Sequence, residues 1–295
     1  MQQEFFALVT DASFKPQAPV NVASVPQRSP FRYPGGKTWF VPAFRRWMQS
    51  LPKPPEVLVE SFAGGATIAL TAVCEGWTDH AVLVELDPDV AAVWQVISAG
   101  NAPLLAEKIL SFDLNYDTVK AAIAQDSMDT LDRAFKTVLR NRTFHGGILA
   151  PGSGLIKSGE AGKGIASRWY PETLAKRFLA LHVVRHRLTV LCEDALVCTR
   201  TYQRDPNCIF FIDPPYTAGG KKAGKRLYSY SELDHDALFK FCTNIAGDFV
   251  MTYDNSTEVI ALAEMQNFET RLVPMKSTHH AAMTELVIGR DLEWL

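Results

Sequence analysis

The chain is short of the signals that mark secreted, membrane or metal-bound proteins. Only five of its 295 residues are cysteine, an odd number at 74, 192, 198, 208 and 242, and none forms a Cys-x-x-Cys pair. That argues against a disulfide framework and a zinc site and for a reducing cytoplasm. No apolar run reaches the ~18 residues of a membrane span. Residues 1–25 lack a basic stretch followed by an apolar one, so they do not read as a secretory leader. Charge of one sign is missing too: 30 Lys and Arg against 32 Asp and Glu leave a net −2. Without a global basic field, any nucleic-acid contact must come from a local basic face. Two phosphate-binding signatures are also absent. G-x-G-x-x-G does not occur, and Gly36-Lys37-Thr38 has Phe31 where a phosphate loop needs its first glycine.

What is present is a strand–helix alternation. Residues 1–30, rich in Pro, Gln and Ser, read as a flexible lead-in. An amphipathic helix through Met48 is followed by strand Val57 to Ser61, a turn at Phe62-Ala63-Gly64-Gly65 and a helix from Ala66 to about Glu75. Strand Ala81 to Glu85 runs into a further helix at Asp87-Pro88. Such alternation predicts a three-layer parallel α/β sheet. The middle, 103–187, carries helical patterns with a Gly-rich break at Gly146 to Gly164 and reads as an inserted, mostly helical domain. Strands resume at Leu188 to Cys192, Ile209 to Ile212 and Asp248 to Tyr253. A helix from Ser256 to about Met265 follows, and then an antiparallel pair, Glu269 to Met275 and Thr284 to Arg290. The sheet thus divides into 31–102 and 188–295.

Three segments carry chemistry. Asp213-Pro214-Pro215-Tyr216 follows the apolar run Cys208 to Ile212. Two prolines end the ladder there, because neither donates a backbone hydrogen bond. An acid, carbonyls and an aromatic ring are left at the carboxyl end of a strand, where open α/β sheets bind ligands. A carboxylate plus a carbonyl can accept both hydrogens of an amino group, and a tyrosine face can stack on a base. The second segment is the turn at Phe62, Ala63, Gly64 and Gly65, where glycines permit close backbone approach to a ligand. Glu85 lies 20 residues after Gly65, placed to bind the two hydroxyls of a ribose. The third segment is basic. Arg133, Lys136 and Arg140 share one helix face, and Lys221, Lys222, Lys225 and Arg226 follow Asp213-Pro214-Pro215-Tyr216 closely. Those four cations, with Tyr228 and Tyr230 among glycines, suit a clamp on phosphates and a base. As single features, each also reads as an ordinary turn, a helix-start acid or a solvated face.

Taken together and in this order, the segments resemble the Dam-type, alpha-group adenine-specific (N6) DNA methyltransferases. The resemblance spans Phe31 to about Arg290. It implies a Rossmann-like S-adenosylmethionine methyltransferase sheet with an antiparallel C-terminal hairpin and an inserted target-recognition domain. It also implies S-adenosylmethionine as methyl donor, S-adenosylhomocysteine as product, no metal, and duplex DNA as partner. Phe31-Arg32-Tyr33-Pro34-Gly35-Gly36-Lys37 resembles the family's opening segment. By that likeness Tyr33 packs near the cofactor, and Gly35, Gly36 and Lys37 wrap its methionine carboxylate. Asp194 stands where the family's acid meets the cofactor adenine, although Ala195 departs from the aromatic that often follows. Asp213, Pro214, Pro215 and Tyr216 become the catalytic set, with base flipping to bring the amine within reach. Asn141-Arg142 resembles a pair that precedes a glycine-containing loop in the recognition region. The resemblance further implies a prokaryotic or phage-encoded, nucleoid-associated cytoplasmic setting, and leaves a cognate restriction endonuclease open as a second partner; one active site and one recognition insertion, acting on one base per visit, make a monomer the expectation. Other readings of the same residues are methylation of cytosine N4, of RNA or of a protein amide, and a catalytically silent DNA-binding module.

Overall fold

A computed structural model describes residues 20–33, 35–126, 129–159, 162–217, 229–230, 232–276 and 282–295. Its strands are β1 (Val57–Glu60), β2 (His80–Val84), β3 (Leu188–Leu191), β4 (Cys208–Ile212), β5 (Phe249–Asp254), β6 (Glu269–Lys276) and β7 (Ala282–Gly289). They form one sheet in the order β3-β2-β1-β4-β5-β7-β6. The first five are parallel, with Leu58 opposite Ala81 on one side and Ile209 on the other. β7 then runs antiparallel to β5, and β6 antiparallel to β7. This is the α/β sheet with a C-terminal antiparallel hairpin that the alternation predicts.

Strand residues alternate between two apolar layers, as a period of two requires when both faces are covered. Leu58, Leu83, Ile209, Phe211 and Val250 face one layer. Val59, Val82, Phe210, Ile212 and Met251 face the other. The first layer is covered by α1 (Val41–Ser50), α2 (Thr67–Glu75) and α3 (Pro88–Ser98). Helix α1 buries Val41, Phe44, Trp47 and Met48, a stripe at helical spacing. Helix α3 starts sharply, because Pro88 occupies its first turn and the Asp87 carboxylate accepts from Asp89 N at 2.9 Å. The second layer is covered by helices His235–Thr243 and Thr257–Met265.

The segment expected as an insertion supplies α4 (Ala102–Ser111), α5 (Tyr116–Ala124), α6 (Thr130–Thr143) and α7 (Pro171–Val184). Helix α4 packs on α7, and α6 packs on α3. Its Leu139, Trp169, Leu174 and Phe178 belong to the same apolar cluster as Leu58 of the sheet and Ile68 of α2. The helices therefore extend the first layer rather than stand off it.

The described part of the expected lead-in is held, not loose; residues 1–19 lie outside the described residues. Val25 is buried, and Arg28 pairs with Glu75 at 2.9 Å. The Ser29 carbonyl accepts from Arg177 at 2.8 Å, and the Pro30 carbonyl accepts from Arg142. Composition marked this stretch as polar and proline-rich, but guanidinium partners more than 100 residues away fix its backbone. No helix among the described residues is long and apolar enough to cross a membrane.

Candidate active site

The chain reverses direction across the sheet between β1 and β4, the switch point where open α/β sheets form a crevice at the strands' carboxyl ends. A cavity with about 920 Å³ of empty space, open to solvent, lies there. Its wall takes residues in spatial order along the sheet edge: Asp194 after β3, Glu85 after β2, Phe62 to Gly65 after β1, and Asp213 after β4. Three strand spacings separate the first from the last, about 14 Å of edge.

The glycine turn at the centre is shaped by what packs on it. Gly64 has φ +44°, and a Cβ there would lie 2.6 Å from the Tyr33 ring, so the position needs glycine on both counts. The Gly64 carbonyl accepts from Trp94 Nε1 at 3.0 Å, and its amide donates to Glu85 Oε2 at 2.8 Å. The other Glu85 oxygen accepts from Asp87 N at 2.9 Å. Each oxygen retains a lone pair for a ligand hydroxyl. Burial raises the Glu85 carboxyl to about 7, against those backbone donors. Asp194 caps the short helix Ala195–Cys198 by accepting from Leu196 N at 2.9 Å, through Oδ1.

Glu60 lies beneath this turn, buried at the end of β1, and accepts from Ala69 N at 2.7 Å. Burial pushes its carboxyl up to about 8, and the nearby Asp213 charge adds to the rise. Sequence reasoning assigned Glu60 no role. Its signal was an acid closing the apolar run Val57-Leu58-Val59, directly before a glycine turn.

Asp213 is held from three sides. Lys37 Nζ lies 2.8 Å from Oδ2, while Oδ1 accepts from Thr252 Oγ1 at 2.8 Å and from the Tyr216 hydroxyl at 3.0 Å. Lys37 is buried, and its ammonium also donates to the Gly35 carbonyl at 2.7 Å and lies 3.4 Å from Glu285 Oε1. Its three hydrogens therefore all have partners on this chain, two of them carboxylates. The Tyr216 hydroxyl reaches Glu285 Oε1 as well as Asp213. Its ring stacks on Tyr253, with centroids 5.8 Å apart and planes at 24°. Pro215 faces the cavity, Pro214 is buried, and the Pro215 carbonyl accepts from Thr217 N at 2.9 Å. Thr252 and Glu285 were not picked out from sequence, because both come from strands brought to Asp213 only by sheet pairing.

The structure brings Tyr33, Gly35, Gly36, Lys37, Phe62, Ala63, Gly64, Gly65, Glu85, Asp194 and Asp213 to one cavity. Tyr230 is on its rim and half exposed. Lys221, Lys222, Lys225, Arg226 and Tyr228 lie outside the described residues. The basic residues of α6 have partners within the fold, although Arg133 stays exposed. Arg140 donates to Asp89 Oδ2 at 3.0 Å and to the Leu149 carbonyl at 2.8 Å. Arg133 is 3.9 Å from Asp89, and Lys136 donates to the Gln125 carbonyl. Asn141 is buried and clamps both backbone groups of Arg32, at 2.9 and 3.0 Å. Arg142 is buried against Pro30, and burial, with Arg177 and Arg32 adding to it, lowers its guanidinium to about 9. This pair fastens the segment that carries Tyr33.

Among the described residues no group of His, Cys, Asp and Glu could hold a metal ion. Among the described residues the cavity wall sets seven acids, Glu60, Glu85, Asp87, Glu193, Asp194, Asp213 and Glu232, against one cation, Lys37. Such a wall favours a ligand bearing positive charge and hydroxyl donors over one bearing phosphates.

No family model matches the chain, and no curated protein matches it. Among solved structures it is similar to the rRNA methyltransferase aviRa from Streptomyces viridochromogenes. The identity is 10% and the TM-score 0.39, over 86% of this chain and 84% of that one. A second structure of the same protein aligns with a TM-score of 0.37 at the same identity and coverage. Likenesses at that level carry no inference about reaction or substrate.

Proposed function

We propose that the protein transfers the methyl group of S-adenosylmethionine to an exocyclic amino nitrogen, the N6 of adenine in duplex DNA. The observation that carries this reading is Asp213, fixed by Lys37, Thr252 and Tyr216 on the wall of a cavity that also presents Glu85 and Asp194.

The residues fit the methyl donor. Glu85 keeps acceptor lone pairs for two ribose hydroxyls, and Asp194 Oδ2 is left for the adenine amino group after Oδ1 caps its helix. The acidic wall suits a sulfonium and an ammonium, and the donor has no phosphate to repel. When bound, it supplies an electrophilic methyl carbon. Lys37 would meet the donor's carboxylate only by giving up a present partner, Asp213 or Glu285 among them.

Asp213 and the Pro214 carbonyl accept the two hydrogens of the target amine. The Pro215 carbonyl is already used in a turn to Thr217. Those two bonds localise a lone pair that the ring otherwise withdraws. Their value lies in placement and in an electrostatic field that needs no rearrangement. Thr252 and Lys37 hold the Asp213 carboxylate in one orientation. An amine inside a duplex is out of reach, so the base leaves the stack. Phosphate contact is assigned to Lys221, Lys222, Lys225 and Arg226, which follow Tyr216 in sequence, with Arg133 and Lys136 as an outer contact. Asn141, Arg142 and Arg140 act on the protein's own backbone and Asp89, and reach DNA only indirectly.

The test is transfer of tritium-labelled methyl from S-adenosylmethionine to unmethylated duplex DNA. Wild type should label the DNA. Asp213→Asn should lose at least ~100-fold in rate while donor binding, read by calorimetry, changes little. Donor binding with no label on any duplex, or equal labelling by the variant, would contradict the proposal.

A further inference from the structure

Each methyl that an amine gains requires the loss of one proton, and the site contains a path for it. Asp213 Oδ1 is 3.0 Å from the Tyr216 hydroxyl, and that hydroxyl also reaches Glu285 Oε1 on β7. Glu285 is buried, and its second oxygen, Oε2, has no hydrogen-bond partner among the described residues. A buried carboxylate oxygen without a donor is costly and asks for a reason. A carboxyl that takes up a proton during turnover supplies one.

We propose that Tyr216 and Glu285 form a proton relay that drains Asp213 after methyl transfer, with Glu285 as the acceptor. This rests on the amine-methylation reading above. The balance closes with no further reactant. The Tyr216 hydrogen first turns from Asp213 Oδ1 to Glu285 Oε1, which frees a lone pair on Oδ1, and the methylated amine gives its N–H proton to that oxygen. Asp213 passes it to the Tyr216 oxygen as the Tyr216 hydrogen moves to Glu285 Oε1. Tyr216 ends with one hydrogen, as it began; Asp213 is again a carboxylate; Glu285 is a neutral acid until solvent takes its proton.

The surroundings of Glu285 support that assignment. Lys37 is the charged donor facing it, 3.4 Å away, and favours the empty carboxylate. Asp213, from the end of β4, opposes a second negative charge; Glu60, near Asp213 and Lys37 at the end of β1, is itself held toward its neutral form by burial. Asp254 is its register partner on β5, and Tyr253 beside it carries the stacked Tyr216 ring. His235 touches Tyr253 and Thr217 but not the carboxylates. Burial raises the Glu285 carboxyl, Lys37 pulls it back and Asp213 adds to the rise. Burial and the two neighbouring acids hold the Tyr216 proton well above its usual range, so the phenol transmits protons rather than storing charge.

The relay acts through Asp213, so Glu285 is a positioning residue whose signature is a pH profile. In wild type, single-turnover methylation of duplex DNA should slow as pH falls through the range in which Glu285 fills. Glu285→Gln should drop the plateau by about tenfold or more and lose that acid limb. Tyr216→Phe should give the same profile, and the double variant should be no slower than the worse single one. In the donor-free protein, infrared difference spectra recorded as the pH is lowered should show a protonated-carboxyl band appear over the range in which the rate falls, a band that Glu285→Gln removes and Tyr216→Phe shifts. An active wild type with an unchanged profile in Glu285→Gln, multiplicative losses in the double variant, or no band assignable to Glu285 would overturn the relay alone. A wild type that methylates no amine would overturn the reading beneath it.

Discussion

Replacing Glu60 by Gln tests whether a carboxyl under the glycine turn is held neutral by burial. Glu60 is buried, and burial pushes it up to about 8. Below about pH 4.5 it is protonated in both folded and unfolded chains and costs nothing. From there to about 8 the unfolded chain gives up the proton while the folded chain keeps it. The folded state binds more protons in that window, so stability falls as pH rises. At ~1.4 kcal/mol per pH unit, a rise from 4.5 to about 8 corresponds to about 5 kcal/mol at most, reduced by any water that enters the cavity. The amide of Gln keeps an oxygen for the Ala69 N–H and never ionises. Urea midpoints of wild type and Glu60→Gln should therefore differ little at pH 5. At pH 9 the variant should be the more stable by several kcal/mol. Glu85 adds a fall of the same sign between about 4.5 and 7, shared by both proteins and so cancelled in the comparison. An equal difference at both pH values would refute the reasoning.

Other outcomes follow from the same geometry. Gly64→Ala should cost about 2–4 kcal/mol, part from φ +44° and part from the 2.6 Å approach to Tyr33. In a Tyr33→Ala background only the backbone part should survive in urea melts, and an undiminished loss there would contradict the contact. Asn141→Ala strands the Arg32 backbone and the Gly147 carbonyl, and should cost about 3 kcal/mol and weaken S-adenosylmethionine binding through Tyr33. Calorimetry showing full affinity would separate α6 from the site. Thr252→Val removes a 2.8 Å bond to Asp213, and should slow single-turnover methylation about tenfold or more with donor affinity unchanged. An unaltered rate would show that Lys37 and Tyr216 suffice to orient the acid.

What the sequence showed of this site depended on distance along the chain. Asp213 was legible because Cys208 to Ile212 and two prolines define a strand end locally. Glu85 was legible because a strand–turn–helix–strand unit fixes its spacing from the glycines. Glu285 was not legible, because it meets Asp213 only after β7 pairs with β5, with Glu285 opposite Asp254. The basic face of α6 was read correctly as a face, since Arg133, Lys136 and Arg140 follow helical spacing. Its partner could not be read: Asp89, on α3, is 51 residues away from Arg140. Asn141 and Arg142 were singled out as a pair of the recognition region, and the structure buries them against residues 29–32, where they set the position of Tyr33. In both cases a polar residue type was visible in one dimension and its partner only in three.

Nucleoside mass spectrometry decides whether the protein methylates a base amine. The protein would be incubated with S-adenosylmethionine and unmethylated duplex DNA, with total RNA in a parallel reaction, and each digested to nucleosides. N6-methyladenine from DNA, absent with Asp213→Ala, is the predicted result. N4-methylcytosine, a methylated RNA base, or no modified base despite donor binding would contradict it.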